Sequence, residues 1–373
     1  MKDVLKDVGR RVISGFYTDF VAKNVATVGR PIDTEFSEIN KEVGFRVTPT
    51  YNTQRWQKGD TLNLNEISPQ VVKMKLDTVL RTGLKINNLD KKSLIPNVEQ
   101  ADIDAAISSI VKEADLMLIE KMRLAYNYST LSSTPVIKDV MNTIKALNGR
   151  GVPTDRGVLL DPAMKVDIFS ISEIHKANEA GTNDKMSTGQ IGRILGMDWY
   201  ESNNCRMKET PADSALAVNN KGTAYAAKET TIAFDGGSSS DLKAGDMVKF
   251  GAGTVYYTVQ SVTWGVAGTS GSFVINPLTA TDAALAVDGA AIGVKRPNDA
   301  FMASKQGIVF GNTALAPYYD DKITQAVVST PYGACRVIYG GNISTMEENI
   351  IIEMLCGAEV MNSNFIQKIV DLS

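Results

Sequence analysis

The chain has one histidine, His175, among 373 residues. That scarcity removes zinc sites with two or three imidazole ligands, paired-histidine metal motifs and histidine relays. A Ser-His-Asp triad would have to use His175 itself, and no G-x-S-x-G elbow is present to receive it. His175 therefore reads as a surface or capping residue. Cysteine is nearly as sparse. Cys205, Cys335 and Cys356 are odd in number, and their spacing fits no C-x-x-C redox or metal motif. They read as reduced, mostly buried thiols of a chain made in a cytosol. There are 12 prolines against 30 glycines, which gives many turns but no low-complexity body. No sign of charge dominates: 39 Lys+Arg oppose 42 Asp+Glu, a net charge of −3, which excludes a generic basic nucleic-acid clamp. The longest stretch without charge, Phe250–Thr281, alternates and is rich in Gly, Ser and Thr. It is strand material and not a membrane span. Met1-Lys2-Asp3 opens an amphipathic segment and not an apolar signal peptide.

What is present is an ordinary globular composition, 43% hydrophobic and 22% charged, long enough for two or three domains. Residues 2–23 place Val4, Val8, Val12, Ile13, Phe16 and Phe20 on one helical stripe. Residues 1–30 hold six basic and three acidic side chains, so this terminal helix is basic. It reads as a docking helix for a neighbouring subunit. Over 41–86, Phe45, Val47, Pro49 and Tyr51 alternate with more polar residues, Lys58-Gly59-Asp60 signals a turn, and Leu62 and Leu64 resume the alternation. A hairpin with so few apolar residues should project and pack on something else. Val72, Met74 and Leu76 form a second alternating run.

The strongest helix is predicted over 100–127, where Ile103, Ile107, Ile110, Ala114, Met117 and Leu124 recur at three- and four-residue intervals. A shorter one is expected over Ile137–Leu147, stopping at Asn148-Gly149. Gly157–Leu160 reads as a buried strand, and Asp161-Pro162 as the start of a helix running to about Ile174. The glycines of Gly189–Gly196 match neither G-x-G-x-x-G nor a P-loop; turns and close packing account for them. From Lys221 to Lys295 charge thins to five basic and six acidic residues. Strand-like runs appear there at Thr231–Phe234, Asp246–Phe250, Val255–Thr263, Phe273–Ile275 and Ile292–Lys295, the signature of a small β-barrel or sandwich. Such a module inside an α/β chain reads as a domain insertion. Strands return at Cys335–Tyr339, Asn349–Met354, Ala358–Met361 and Phe365–Val370, and there is no internal repeat.

Three stretches then carry a family resemblance. They are Gly189-Gln190-Ile191-Gly192-Arg193-Ile194-Leu195-Gly196-Met197-Asp198-Trp199-Tyr200-Glu201-Ser202-Asn203-Asn204; Lys243–Phe250 with Val255–Trp264; and Gly333–Val337 through Cys356–Val360. With the order of parts, they make the chain resemble the major capsid (coat) proteins of tailed bacteriophages, the HK97 fold. The likeness is greatest to the short-tailed-phage coat subfamily with an inserted β-barrel domain. The fold class expected is α+β. The resemblance implies an N-arm over 1–40, an E-loop over 41–75 and a peripheral domain over 76–147 with its spine helix at 100–127. It implies an axial domain over 148–210 and 320–373, an inserted domain over 211–297 and a return to the peripheral domain over 298–319.

The function so implied is a virion protein. Pentamers and hexamers of the chain would tile an icosahedral shell around double-stranded DNA, assembled in the bacterial host cytoplasm. A scaffolding protein and a portal would take part, and a decoration protein is a further partner; no membrane is involved. No catalytic, cofactor-binding or metal residues are expected. The basic arm departs from subfamily members with an acidic one, so the polarity of scaffold binding is open between an acidic scaffold segment and DNA. Lys58 reads as a solvated turn lysine and not as a crosslinking donor. Acidic residues such as Asp282 and Asp288 are candidates to meet basic partners across a two-fold axis. The alternatives are a cellular nanocompartment (encapsulin-like) shell of the same fold, a soluble α/β enzyme and a β-rich tail module. The acid pairs Asp320-Asp321 and Glu347-Glu348, which an enzyme would need, read as solvated faces.

Overall fold

The computed structural model describes residues 2–29, 41–46, 55, 71–87, 98–132, 134–171, 190–209, 216–219, 225–237, 241–265, 269–317, 324–330, 333–342 and 347–372. Its helices are α1 (Lys2–Asp19), α2 (Val98–Arg123), α3 (Ile137–Gly149), α4 (Pro162–Phe169) and α5 (Ala280–Leu285). The early strands are β1 (Thr27–Gly29), β2 (Lys41–Arg46), β3 (Val71–Leu76), β4 (Thr78–Asn87), β5 (Tyr128–Leu131), β6 (Arg156–Leu160), β7 (Gln190–Ile194), β8 (Met197–Glu201) and β9 (Ala217–Val218). Then come β10 (Thr231–Asp235), β11 (Met247–Phe250), β12 (Tyr257–Trp264), β13 (Ser270–Ile275), β14 (Ile292–Lys295) and β15 (Phe301–Ser304). The last are β16 (Ile308–Thr313), β17 (Thr324–Thr330), β18 (Gly333–Asn342), β19 (Glu347–Val360) and β20 (Ile366–Asp371). The class is α+β. The chain divides into two compact units: 1–19, 28–111 and 308–362 form the first, and 20–27, 112–307 and 363–373 the second. Residues 324–360, grouped with 148–210 by the sequence reading, thus cluster with 28–111.

The first unit is built on β19. Its residues 347–353 pair with β18 on one edge and with β4 on the other, and β16 takes over beside 355–360. The sequence suggested two strands here, but the chain runs straight through Gly357 as one strand of 14 residues. Gly357 is needed because a Cβ there would collide with the backbone carbonyl of Lys75 on β3. The β2–β3 ladder is the described base of the expected hairpin, and Lys58 with the rest of the turn lies outside the described residues. That base does not project: Met74 and Leu76 are buried with Val309 and Leu355 of the same unit. Helix α1 likewise covers its apolar stripe within this unit. It packs on β17 and β18, burying Leu5, Val8, Val12 and Ile13, because Gly9 lets its backbone settle onto Val328 and Cys335.

The second unit holds two sheets. One has the order β5-β20-β15-β6-β8-β7 and buries Val158, Leu160, Trp199, Met302 and Ile369 against α3 and α4. Helix α4 starts where Asp161 accepts the Ala163 and Met164 amides, but stops at Phe169, short of the expected Ile174. Helix α2 also ends early. Leu124 and Ala125 donate to carbonyls three residues back, tightening the last turn, and the chain then leaves to pair β5 with β20. The β7–β8 hairpin turns on Leu195 (φ 52°) and Gly196 (φ 81°), the two positive-φ residues of a tight I′-type loop.

The other sheet has the order β14-β11-β12-β13-β10-β9. Its two ends meet: the Val218 amide donates to Ala290 at 2.8 Å, and the Ile292 amide to Leu216 at 2.9 Å. Phe234, Phe250, Tyr257 and Phe273 fill the space the sheet encloses. The chain enters this region at Glu209 and leaves it at Arg296, which face one another in a single antiparallel bridge.

Candidate functional site

His175, Lys58 and the pair Asp320-Asp321 lie outside the described residues. Glu347 and Glu348 begin β19 and pair in register with Asn87 and Ile86 of β4. The three cysteines are free and buried. Burial pushes the Cys335 thiol up to about 12, and Cys205, lying near Asp299 and Asp115, higher still. All three are therefore thiols at neutral pH, without thiolate reactivity. Among the described residues no cluster of three His, Cys, Asp or Glu side chains is placed to hold a metal ion. A cleft of about 190 Å³ is lined by Asp155, Arg156, Asp198, Tyr200 and Lys305. Two of its charges are already employed: Asp155 accepts from Ser304 at 2.8 Å, and Arg156 donates to Asn148 and to the Pro153 and Val152 carbonyls.

Asp282 is not available to a neighbouring subunit. It is buried at the start of α5, accepting from Tyr257 Oη at 2.6 Å and from Thr279 Oγ1 at 2.7 Å. Asp288 also has a partner within the chain. Asp282 is therefore spent on holding α5 against β12.

The densest chemistry is a buried charge cluster where the closed sheet meets the end of α2. Gly245 sits in the left-handed region (φ 86°) with the Arg123 stem only 2.9 Å from where a Cβ would be, so glycine alone fits this turn. The turn delivers Asp246 to the interior, where its carboxylate accepts the Lys243 amide at 2.9 Å. Arg296 meets Asp246 in a fork, Nε to Oδ1 and Nη2 to Oδ2, both at 3.0 Å. Arg206 adds a longer contact to the same carboxylate at 3.5 Å, and Arg296 Nη1 reaches Glu209 at 3.2 Å. Hydrogen bonding to Asp246 holds the Arg296 guanidinium above its ordinary pKa. Arg123, from the last turn of α2, donates through Nε and Nη2 to Asp299, which also accepts the Arg206 amide at 2.7 Å.

Four further bonds fasten β12 to this end of α2, two of them through Lys368. Gln260 is the extra residue of a β-bulge, and the bulge aims its amide at the Leu124 carbonyl, 2.8 Å away. Thr258 Oγ1 donates to Ala125 O at 3.2 Å. Lys368, on β20, is buried and donates to Thr258 Oγ1 at 2.7 Å and Arg123 O at 3.2 Å. A second buried carboxylate, Asp115, gathers the Ala22 amide, Ser202 and Asn204 within 2.9 Å. Ser202 and Asn204 belong to the stretch that carried the resemblance. Each of these groups is committed to a partner inside the unit, so the cluster acts as a joint. Sequence reading missed Arg123, Arg206, Arg296, Asp299 and Lys368. The available signal was Lys368 itself, a charge set inside the apolar run Phe365–Val370.

No helix among the described residues is long and apolar enough to cross a membrane. No protein-family model and no curated protein matches the chain. Solved structures do align with it over most of its length. A structure titled as the capsid of the cyanophage P-SCSP1u aligns at 9% identity and TM-score 0.49, covering 95% of this chain and 88% of its own. The capsid of Ralstonia phage GP4 aligns at 10% identity and TM-score 0.47, covering 95% and 90%. A structure from Mycobacterium phage Che8 aligns at 12% identity and TM-score 0.45, covering 89% and 85%.

Proposed function

We propose that the chain is a major capsid protein of a tailed bacteriophage. Copies of it assemble as pentamers and hexamers into an icosahedral shell around double-stranded DNA. The observation that supports this best is the order of parts. A terminal amphipathic helix, the base of a hairpin, a helix of 26 residues and a closed sheet entered and left at one bridge follow each other along the chain. In this reading residues 1–40 are the N-arm, 41–75 the E-loop and 211–297 the inserted domain. The protein acts by assembly and not by turnover. Many weak contacts per subunit add up to a stable shell, while each stays weak enough to correct errors. A scaffolding protein, a portal and a decoration protein are partners, and packaged DNA lies near without specific binding. The protein is made in the host cytoplasm and resides in the virion.

Mass photometry and negative-stain electron microscopy of the purified chain, alone and with a candidate scaffold, test the reading. Closed particles tens of nanometres across are expected, and deleting residues 1–23 should abolish them. A single 40.3 kDa species with every scaffold tried would overturn it.

A further inference from the structure

The joint contains one group whose hydrogen bonds count its protons. Lys368 Nζ has two acceptors among the described residues, Thr258 Oγ1 and Arg123 O, and both are neutral. A neutral amine has two N–H groups and fills both acceptors. An ammonium has three, and the third finds no acceptor among the described residues. An ammonium left short of an acceptor in a buried place costs free energy. Among the described residues no carboxylate lies within ion-pairing distance of Nζ.

The surrounding charge is mixed: Asp299 and Asp246 favour the ammonium, and Arg206 opposes it. Around Lys368 stand Arg123 from α2, whose carbonyl it reaches, Arg206 after β8, Asp246 before β11 and Asp299 between β14 and β15. Tyr128 of β5 lies opposite it in register. On its own strand Asp371 is paired to Lys208 at 2.8 Å. The guanidiniums of Arg123, Arg206 and Arg296 are three positive charges, matched by the three carboxylates of Asp246, Asp299 and Glu209.

We propose that Lys368 is a proton-operated rivet between the closed sheet, the end of α2 and the last strand: uncharged it holds this joint shut, and its protonation loosens the joint. Burial brings the amine down to about 7 against the pull of Asp299 and Asp246, with Arg206 adding to the burial effect. The switch therefore works near neutrality. Opening the joint to water returns Lys368 to its ordinary value of 10.5, so opening takes up a proton above pH 7.

Hydrogen exchange of the full chain between pH 6 and 9, corrected for the intrinsic rate, reads the joint through segments 124–128 and 256–260. In the wild type their opening constant should fall by close to about tenfold per pH unit above 7, the limit for one linked proton. Lys368→Met, which keeps the length and removes the proton, should flatten that dependence while remote segments are unmoved. Parallel pH profiles for wild type and Lys368→Met would overturn the proposal. If Lys368→Met does not fold, Thr258→Val serves. It removes one acceptor, penalises the ammonium further and should move the midpoint to lower pH; an unmoved midpoint would overturn the proposal equally.

Discussion

Arg296 and Asp246 are joined by two parallel hydrogen bonds of 3.0 Å, both residues being buried. The pair ties together two neighbouring strands, for Arg296 follows β14, the last strand of the closed sheet, and Asp246 precedes β11, which pairs with β14. Removing Asp246 strips both fork bonds from the buried guanidinium and leaves it to Glu209, whose side chain is half exposed. Asp246→Asn is therefore expected to cost about 3–5 kcal/mol, the usual penalty for breaking a buried pair. Urea denaturation measures it. Asp246→Leu combined with Arg296→Met should cost less than the two single changes added together.

A second expectation concerns α1. A Cβ on Gly9 would lie 2.5 Å from Val328 Cγ2, too close for either to stay. Gly9→Ala should lift the helix from its sheet, at a cost of about 1–3 kcal/mol as for other overpacked sites. Limited proteolysis within residues 2–19 would report the release. Val328→Ala in the same chain should largely restore protection.

Two glycines in the same sheet make a matched pair. Gly357→Ala thrusts a methyl at the Lys75 carbonyl and should unseat the β2–β3 ladder. Gly340, on β18, has nothing within 4 Å of its would-be Cβ. Gly340→Ala should be neutral or raise stability by about 0.4–1 kcal/mol through the unfolded chain. Thermal midpoints that moved equally for both would contradict the close approach at Gly357.

Asp161 supplies a pH test with a definite sign. Burial raises its carboxyl from 3.8 to about 6, although the Met164 and Ala163 amides and Asn298 pull the other way. The folded chain holds this proton more tightly than the unfolded one. The stability from this group is thus fully present below about pH 3.8 and lost as pH rises through about 6. Asp161→Asn caps α4 as well but does not ionise. Its stability relative to wild type should be higher at pH 7.5 than at pH 4, measured by denaturation at both.

Much of this architecture can be read along the chain. The strands of the closed sheet begin and end within a few residues of the runs Thr231–Phe234, Asp246–Phe250, Phe273–Ile275 and Ile292–Lys295, since alternation and glycine turns are local signals. Helix α3 stops at the Asn148-Gly149 signal for the same reason. The errors are of another kind. The stripe on α1 announces that something covers it, but period alone does not say that β17 and β18 of the same chain are the cover. Asp282 looks like a surface acid until Tyr257, 25 residues earlier, is seen to donate to it. The joint was hidden most completely, because Arg123, Asp246, Asp299 and Lys368 come from four separate parts of the chain. Nothing local marks a charge that will be buried opposite its partner, except its presence in an apolar strand.

Strand β19 carries a consequence for how the protein is made. Its partner on one edge, β4, runs from Thr78 to Asn87, and the last pair of their register is Cys356 with Thr78. Helix α1 depends on the same late region, through Cys335 and Val328. On the ribosome the first hundred residues therefore emerge long before the strands that will cover them. The closed sheet, complete between residues 216 and 295, has all its partners at hand while synthesis is still under way. Local pairings form sooner than distant ones, because less chain must be brought together. The middle of this protein thus matures first, and its beginning waits, with apolar stripe uncovered, for its end.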